Sequence, residues 1–229
     1  DKIIELSEAM KEANSTLLET GGATPNKIWQ EGDSQNAIYA VRSLGIDPSN
    51  GRELFLKKNG EVTYTWDAND RVFCGVDQPD YRGNINTMFM WKDLSVNLSF
   101  GYEWGGQQYN STLISRVENA DKKYNVDRRV YEDRWKEPGD RTFFKGINET
   151  TATQATSRFV QDEATFTCQN LNVTYDLKGN KWLKRNLGIQ TLTLKGDIAD
   201  LFRISTIKQE RGTSYPFSRQ FSFTLSAMF

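Results

Sequence analysis

Apolar and polar residues alternate strictly at the end of the chain, where Phe221, Phe223, Leu225, Ala227 and Phe229 stand against Gln220, Ser222, Thr224 and Ser226. A period of two puts one set on each face of a β-strand. Four earlier segments carry the same pattern. Over 84–92, Ile85, Thr87, Phe89 and Trp91 oppose Asn84, Asn86 and Lys92; over 94–104, Leu94, Val96, Leu98, Phe100, Tyr102 and Trp104 oppose Ser95, Asn97, Ser99, Gly101 and Glu103. Leu171, Val173, Tyr175 and Leu177 oppose Asn170, Asn172, Thr174 and Asp176, and Leu192, Leu194 and Ile198 oppose Thr191, Thr193, Lys195 and Asp197. The helical spacing of Ile3, Leu6, Met10, Ala13 and Leu17 predicts one amphipathic helix over 2–18, ending before Gly21-Gly22. Asn59-Gly60 centres a hairpin predicted over 53–66, with arms too short to cross a bilayer.

Alternation fits two environments equally. In a soluble sandwich the apolar face meets a core and the polar face meets water; in a membrane barrel the apolar face meets lipid and the polar face lines a lumen. Connection lengths separate the two. Walking back from Phe229, the connections fall at 200–218, 179–188, 105–164, 92–93 and 42–83, which is long, short, very long, short, long. Short turns at one end and long loops at the other are the asymmetry of an outer-membrane barrel, whereas a loop of about sixty residues is foreign to a compact sandwich. Trp91, Tyr102, Trp104 and Trp182 at strand ends fit interfacial girdles.

Composition is compatible with this reading. The chain has 29 basic and 30 acidic residues, and its net charge of -1 gives no electrostatic footprint for nucleic acid. Its mean hydropathy of -0.66 would ordinarily indicate a soluble protein, and no run approaches the roughly 18 apolar residues of a membrane helix, but barrel strands are only half apolar. Histidine is absent, which excludes His-dependent triads and His-ligated metals; neither cofactor nor metal is expected, and the chain does not read as an enzyme. Cys74 and Cys168 stand in no ligand spacing and are expected as unpaired thiols. The chain begins at Asp1 with no targeting segment before it, so it is expected to be part of a longer precursor.

Four segments add signatures of another kind. These are Ala40-Val41-Arg42-Ser43-Leu44-Gly45-Ile46-Asp47-Pro48; Asp133-Arg134-Trp135-Lys136-Glu137-Pro138-Gly139-Asp140; Thr156-Ser157-Arg158-Phe159-Val160; and Ser205 to Thr213 with Tyr215-Pro216-Phe217. In this order, leading into a closing strand, they closely resemble the C-terminal portion of the SusC/RagA family of TonB-linked outer-membrane transporters of Bacteroidetes. Physically they read as loop architecture, with turn chemistry at Pro138-Gly139-Asp140 and around Asp47-Pro48 and Asn50-Gly51. The balanced charges of Asp127, Arg128, Arg129, Glu132, Asp133 and Arg134 suggest ion pairing within a folded loop, the alternative being a solvated surface.

The resemblance implies an all-β fold, an antiparallel transmembrane β-barrel segment of about five C-terminal strands with long extracellular loops and one short N-terminal helix. Residues 1–83 would be an extracellular loop region with helix and hairpin, and 84–229 barrel strands and loops. It further implies TonB-dependent import of a large nutrient, a glycan oligosaccharide or a peptide. Partners would be a SusD-like surface lipoprotein and, through regions outside this chain, the TonB complex. Phe221, Phe223, Leu225, Leu98, Phe100, Val173 and Leu194 would face lipid, and Asn97, Glu103, Asn172, Asp176, Lys195 and Asp197 the lumen. Tyr109, Tyr131, Trp135 and Arg211 would contact lid or substrate, and Phe229 would be the assembly signal. A soluble all-β carbohydrate-binding module and a passive porin are the alternatives. Five strands cannot close a barrel, so an open, curved antiparallel sheet is expected.

Overall fold

A computed structural model of the protein describes residues 2–121, 123–207 and 219–229. The fold is all-β with few helices, and it divides into two compact units: Asp1–Pro79 with Gly106–Asp162, and Asp80–Gly105 with Glu163–Phe229.

The second unit is an antiparallel five-stranded sheet in chain order, β5 (Tyr81–Trp91), β6 (Leu94–Tyr109), β7 (Val160–Lys178), β8 (Thr191–Ser205) and β9 (Gln220–Met228). β5 and β9 are its outer strands and do not pair with each other, so the sheet is open as expected. All five predicted strands form, and four extend beyond their predicted ends. Registers agree with the alternation: Ile85 faces Phe100, Phe89 faces Val96, Tyr175 faces Leu194, and Leu194 in turn faces Leu225.

One feature of β7 departs from simple alternation. Asn97 donates to Asn172 at 3.4 Å, while Phe100 stacks on Phe166 with ring centroids 5.5 Å apart. Asn97 and Phe100 lie on opposite faces of the regular β6, so Asn172 and Phe166 must also, although both are even-numbered. The phase therefore changes along β7, where the pairing with β8 shifts register between Cys168 and Asn170. The sequence changes phase at the same place, its apolar positions passing from Phe166 and Cys168 to Leu171 and Val173. The irregularity keeps one face apolar from Ala164 and Phe166 through to Leu177.

The first unit corrects several expectations. Residues 42–83 are more than a connection with one hairpin: β1 (Ala37–Ile46) is one of two inner strands of a second sheet, ordered β3 (Val62–Thr63), β2 (Glu53–Leu56), β1, β4 (Arg71–Val76). β1 lacks an alternating pattern because Ala37 to Val41 are buried consecutively. The Asn59-Gly60 hairpin forms between β2 and β3 with very short arms. The helix, α1, spans Glu8–Glu19 rather than 2–18. Ile3 instead exchanges backbone hydrogen bonds with Gly32 and Asp33 at 2.8 Å, and the Leu6 N–H donates to Glu31 at 3.0 Å. Those bonds tie the first residues to 31–33 and keep them out of the helix.

The long connection between β6 and β7 is folded too. Leu113, Ile114, Val117, Val130, Phe144 and Phe159 form its hydrophobic core, with Ile114, Val117 and Phe159 fully buried. Trp182 sits on a short helix, Lys181–Leu187, between β7 and β8 instead of at a strand end.

Candidate functional site

The polar face of the five-stranded sheet is the first candidate. Register pairs Asn84 with Gly101, Asn86 with Ser99, Asn172 with Asp197, Thr174 with Lys195 and Asp176 with Thr193. Asn97 donates to Asn172 and Asn172 to Asp197, with Lys195 3.4 Å from Asp197, and beside this chain Thr193 donates to Asp176 at 2.6 Å. Gln169 also reaches Asn84 on this face. Asn97, Glu103, Asn172, Asp176, Lys195 and Asp197 therefore share one side of the sheet. Leu98, Phe100, Val173, Leu194, Phe221, Phe223 and Leu225 share the other, where Phe221, Phe223 and Leu225 are strongly exposed.

The second candidate lies in the first unit, where three motifs far apart in sequence converge. Trp135 donates its indole N–H to the Pro48 carbonyl at 2.9 Å, and the Gly139 N–H reaches the same carbonyl at 2.8 Å. The Trp135 ring lies so close over Gly51 that a Cβ there would meet it at 2.4 Å. The Ser43 N–H donates to the Ser157 hydroxyl at 3.0 Å. Arg158 is clamped between two buried carboxylates, 2.7 Å from Glu53 and 2.8 Å from Glu118. Those two carboxylates hold its guanidinium pKa up against the opposing effect of burial. What the sequence presents as loop turns is the frame of this unit.

The expected ion pairs form only in part. Arg128 pairs with Glu132 and Arg129 with Asp127, but Arg134 is buried and donates to the carbonyls of Val117, Glu118 and Lys145. Of the predicted contact residues, Tyr109 packs on the loop core and donates its hydroxyl to Ala23 at 3.0 Å. Trp135 is engaged with Pro48 and Gly51, and Tyr131 is 69% exposed with the Lys136 ammonium 4.4 Å from its ring centroid. Arg211 lies outside the described residues, as does most of the fourth motif. Phe229 is exposed at the end of β9.

A cleft of about 670 Å³ opens beside this frame, lined among others by Arg52, Glu53, Tyr64, Trp66, Lys145 and Glu149. None of these was singled out from the sequence. Nearness to Arg158 marks Glu53 only after folding. Cys74 and Cys168 are free thiols, and among the described residues no cluster of His, Cys, Asp or Glu is placed to hold a metal ion.

No family model matches the chain, and no curated protein matches it in sequence. Solved structures do match in fold. The structure of the RagAB peptide transporter aligns with a TM-score of 0.67 at 21% identity, covering 90% of this chain and 24% of that one. The RagAB peptide importer aligns in its "open-open" state with a TM-score of 0.67 at 19% identity, covering 88% of this chain and 23% of that one. In its "closed-closed" state the TM-score is 0.64 at 19% identity, with 87% and 23% covered. The chain thus spans about a quarter of the length of each.

Proposed function

We propose that this chain is the C-terminal part of a SusC/RagA-type, TonB-dependent outer-membrane importer, contributing five strands of barrel wall and a folded extracellular region. The observation that carries the reading is the two-faced open sheet: one apolar face continuous across five strands, one hydrogen-bonded polar face, and two unpaired edges. Isolated edges of that kind are not tolerated in lipid, so the sheet calls for further strands of a longer chain. A solved transporter about four times longer, matching nine-tenths of this chain in fold, is consistent with such a whole.

Dimensions support it as well. The part of β6 from Leu94 to Trp104 spans roughly 33 Å at about 3.3 Å per residue, and a tilt of about 40° reduces this to about 25 Å, the height of the apolar band of an outer-membrane barrel. Aromatic residues mark both limits, with Tyr81 edge-on to Trp104 at 5.6 Å between ring centroids and Trp91 opposite Leu94. In this reading Phe221, Phe223, Leu225, Leu98, Phe100, Val173 and Leu194 meet lipid. The Asn97–Asn172–Asp197 network lines the lumen, and Phe229 is the assembly signal.

The cargo is an oligopeptide or an oligosaccharide, and a SusD-like lipoprotein covers the extracellular side, with Tyr131 and Arg211 as candidate contacts. The test is to express the gene from its natural start in a host outer membrane and fractionate. Extraction only by detergent, with a plug and a TonB-contacting segment upstream, supports the reading. Recovery of the protein as an aqueous monomer favours a soluble binding module, and a barrel lacking a plug favours a porin.

A further inference from the structure

The cleft of the first unit brings two cations, Arg52 and Lys145, to a wall that also carries Glu53 and Glu149. Glu53 and Glu118 are buried and share Arg158, Arg134 and Lys145 are buried as well, and Glu149 interacts with both Lys145 and Arg52, so four cations stand with three carboxylates. Arg134 spends its donors on three backbone carbonyls. Lys145, on the cleft wall, has the Thr151 carbonyl as its one hydrogen-bond acceptor among the described residues. An ammonium has three donors, and a buried charge without a full set of partners is costly.

Arg52 adds a second cation at the mouth. It is half-exposed, its contact with Glu149 is a long 3.6 Å, and its guanidinium rests 4.8 Å from the centroid of the Tyr64 ring. The walls around the two cations are held in place. The Tyr64 hydroxyl donates to Asp47 and accepts from Asn50 at 3.0 Å, and the Trp66 indole N–H donates to the Ala155 carbonyl at 3.0 Å. A fixed aromatic cleft of this volume with a few convergent polar groups has the character of a small-ligand site.

We propose that this cleft binds a carboxylate-bearing ligand, its carboxylate held between Arg52 and Lys145 and its body against Tyr64 and Trp66. Beside Glu149, the ligand carboxylate accepts the donors of both cations that the protein leaves unused. An acidic peptide and a uronic-acid oligosaccharide offer the same group. The proposal does not depend on membrane insertion and holds equally for a soluble module. Burial lowers the Lys145 pKa against the opposing pull of Glu118, Glu149 and Glu53, so as pH rises binding is expected to weaken before an ordinary lysine would lose its proton.

Calorimetry and tryptophan fluorescence on the full-length protein test it with two ligand pairs: a glutamate-containing tripeptide against its glutamine counterpart, and trigalacturonate against its methyl ester. Tighter binding of the acid in either pair identifies the source of the carboxylate. Arg52→Gln is expected to weaken that binding about tenfold or more, and Trp66→Phe to remove the ligand-dependent fluorescence change. Lys145→Met provides a second variant at the other cation, and the salt dependence of wild-type binding needs no variant at all. Equal binding of acid and neutral forms, or Arg52→Gln binding as tightly as wild type, overturns the proposal.

Discussion

Arg158 and Glu53 stand 105 positions apart in sequence and form a two-pronged ion pair in the folded unit, with Nε at 3.0 Å from one carboxylate oxygen and Nη2 at 2.7 Å from the other. Both side chains are almost wholly shielded from water. Glu118 shares the same guanidinium, so one cation holds two carboxylates in a low-dielectric setting.

Arg158→Met therefore leaves two buried carboxylates without their cation. A loss of about 3–5 kcal/mol is expected for breaking such a group, read as a lower urea midpoint. Replacing all three together, Arg158→Met with Glu53→Gln and Glu118→Gln, is expected to recover much of it. If the single variant is as stable as wild type, the clamp is not a fold determinant.

Gly51 has a positive φ of 71°, and a Cβ there would meet the Trp135 ring at 2.4 Å. Gly51→Ala is expected to cost at least about 1–3 kcal/mol from backbone strain, with more from displacing Trp135. Near-ultraviolet circular dichroism should report the displaced indole. An unchanged spectrum and melting temperature would show that the Trp135 lock is dispensable.

Asp47 has its carboxyl pKa lowered first by the Tyr64 hydroxyl and then by the backbone N–H of Ser49. A lowered folded-state pKa means that the contribution is complete above the ordinary carboxylate value of 3.8 and is lost as pH falls through the folded-state value. Wild type and Asp47→Asn should differ in stability at neutral pH and converge in acid. A difference that stays constant across that window would place the effect elsewhere.

On the membrane reading, Leu225→Arg puts a cation on the apolar face opposite Leu194, and about 2–4 kcal/mol of folding free energy in bilayers is expected to go. Thr224→Lys, one residue away on the polar face opposite Lys195, should be far better tolerated. Equal effects of the two would contradict a lipid-facing assignment.

The particular elements explain what was legible. Strands β6, β8 and β9 each have one apolar and one polar face, and β5 follows them except at Met88 and Met90, so the period of two is written directly into residues such as Leu94 to Trp104. β7 carried its phase change at Gln169 and Asn170 openly, but only cross-strand pairing with Asn84 and Phe100 gives that change a meaning. β1 leaves no alternation in the sequence, because Ala37 to Val41 are buried consecutively. Ile3 and Leu6 have helical spacing but lie outside the helix, because their backbone groups are engaged by Gly32, Asp33 and Glu31.

The sequence by itself determined the sheet with its two faces, because side-chain alternation is a local consequence of strand geometry and needs no partner to be read. It also placed the motifs whose order resembles a transporter barrel. Only the tertiary structure decided that those motifs form a folded frame, with Pro48 and Gly51 against Trp135, Ser43 against Ser157, and Glu53 against Arg158. It alone assembled the cleft of Arg52, Tyr64, Trp66 and Lys145. Contacts between residues about a hundred positions apart follow from the path of the whole chain, and no local periodicity encodes that path.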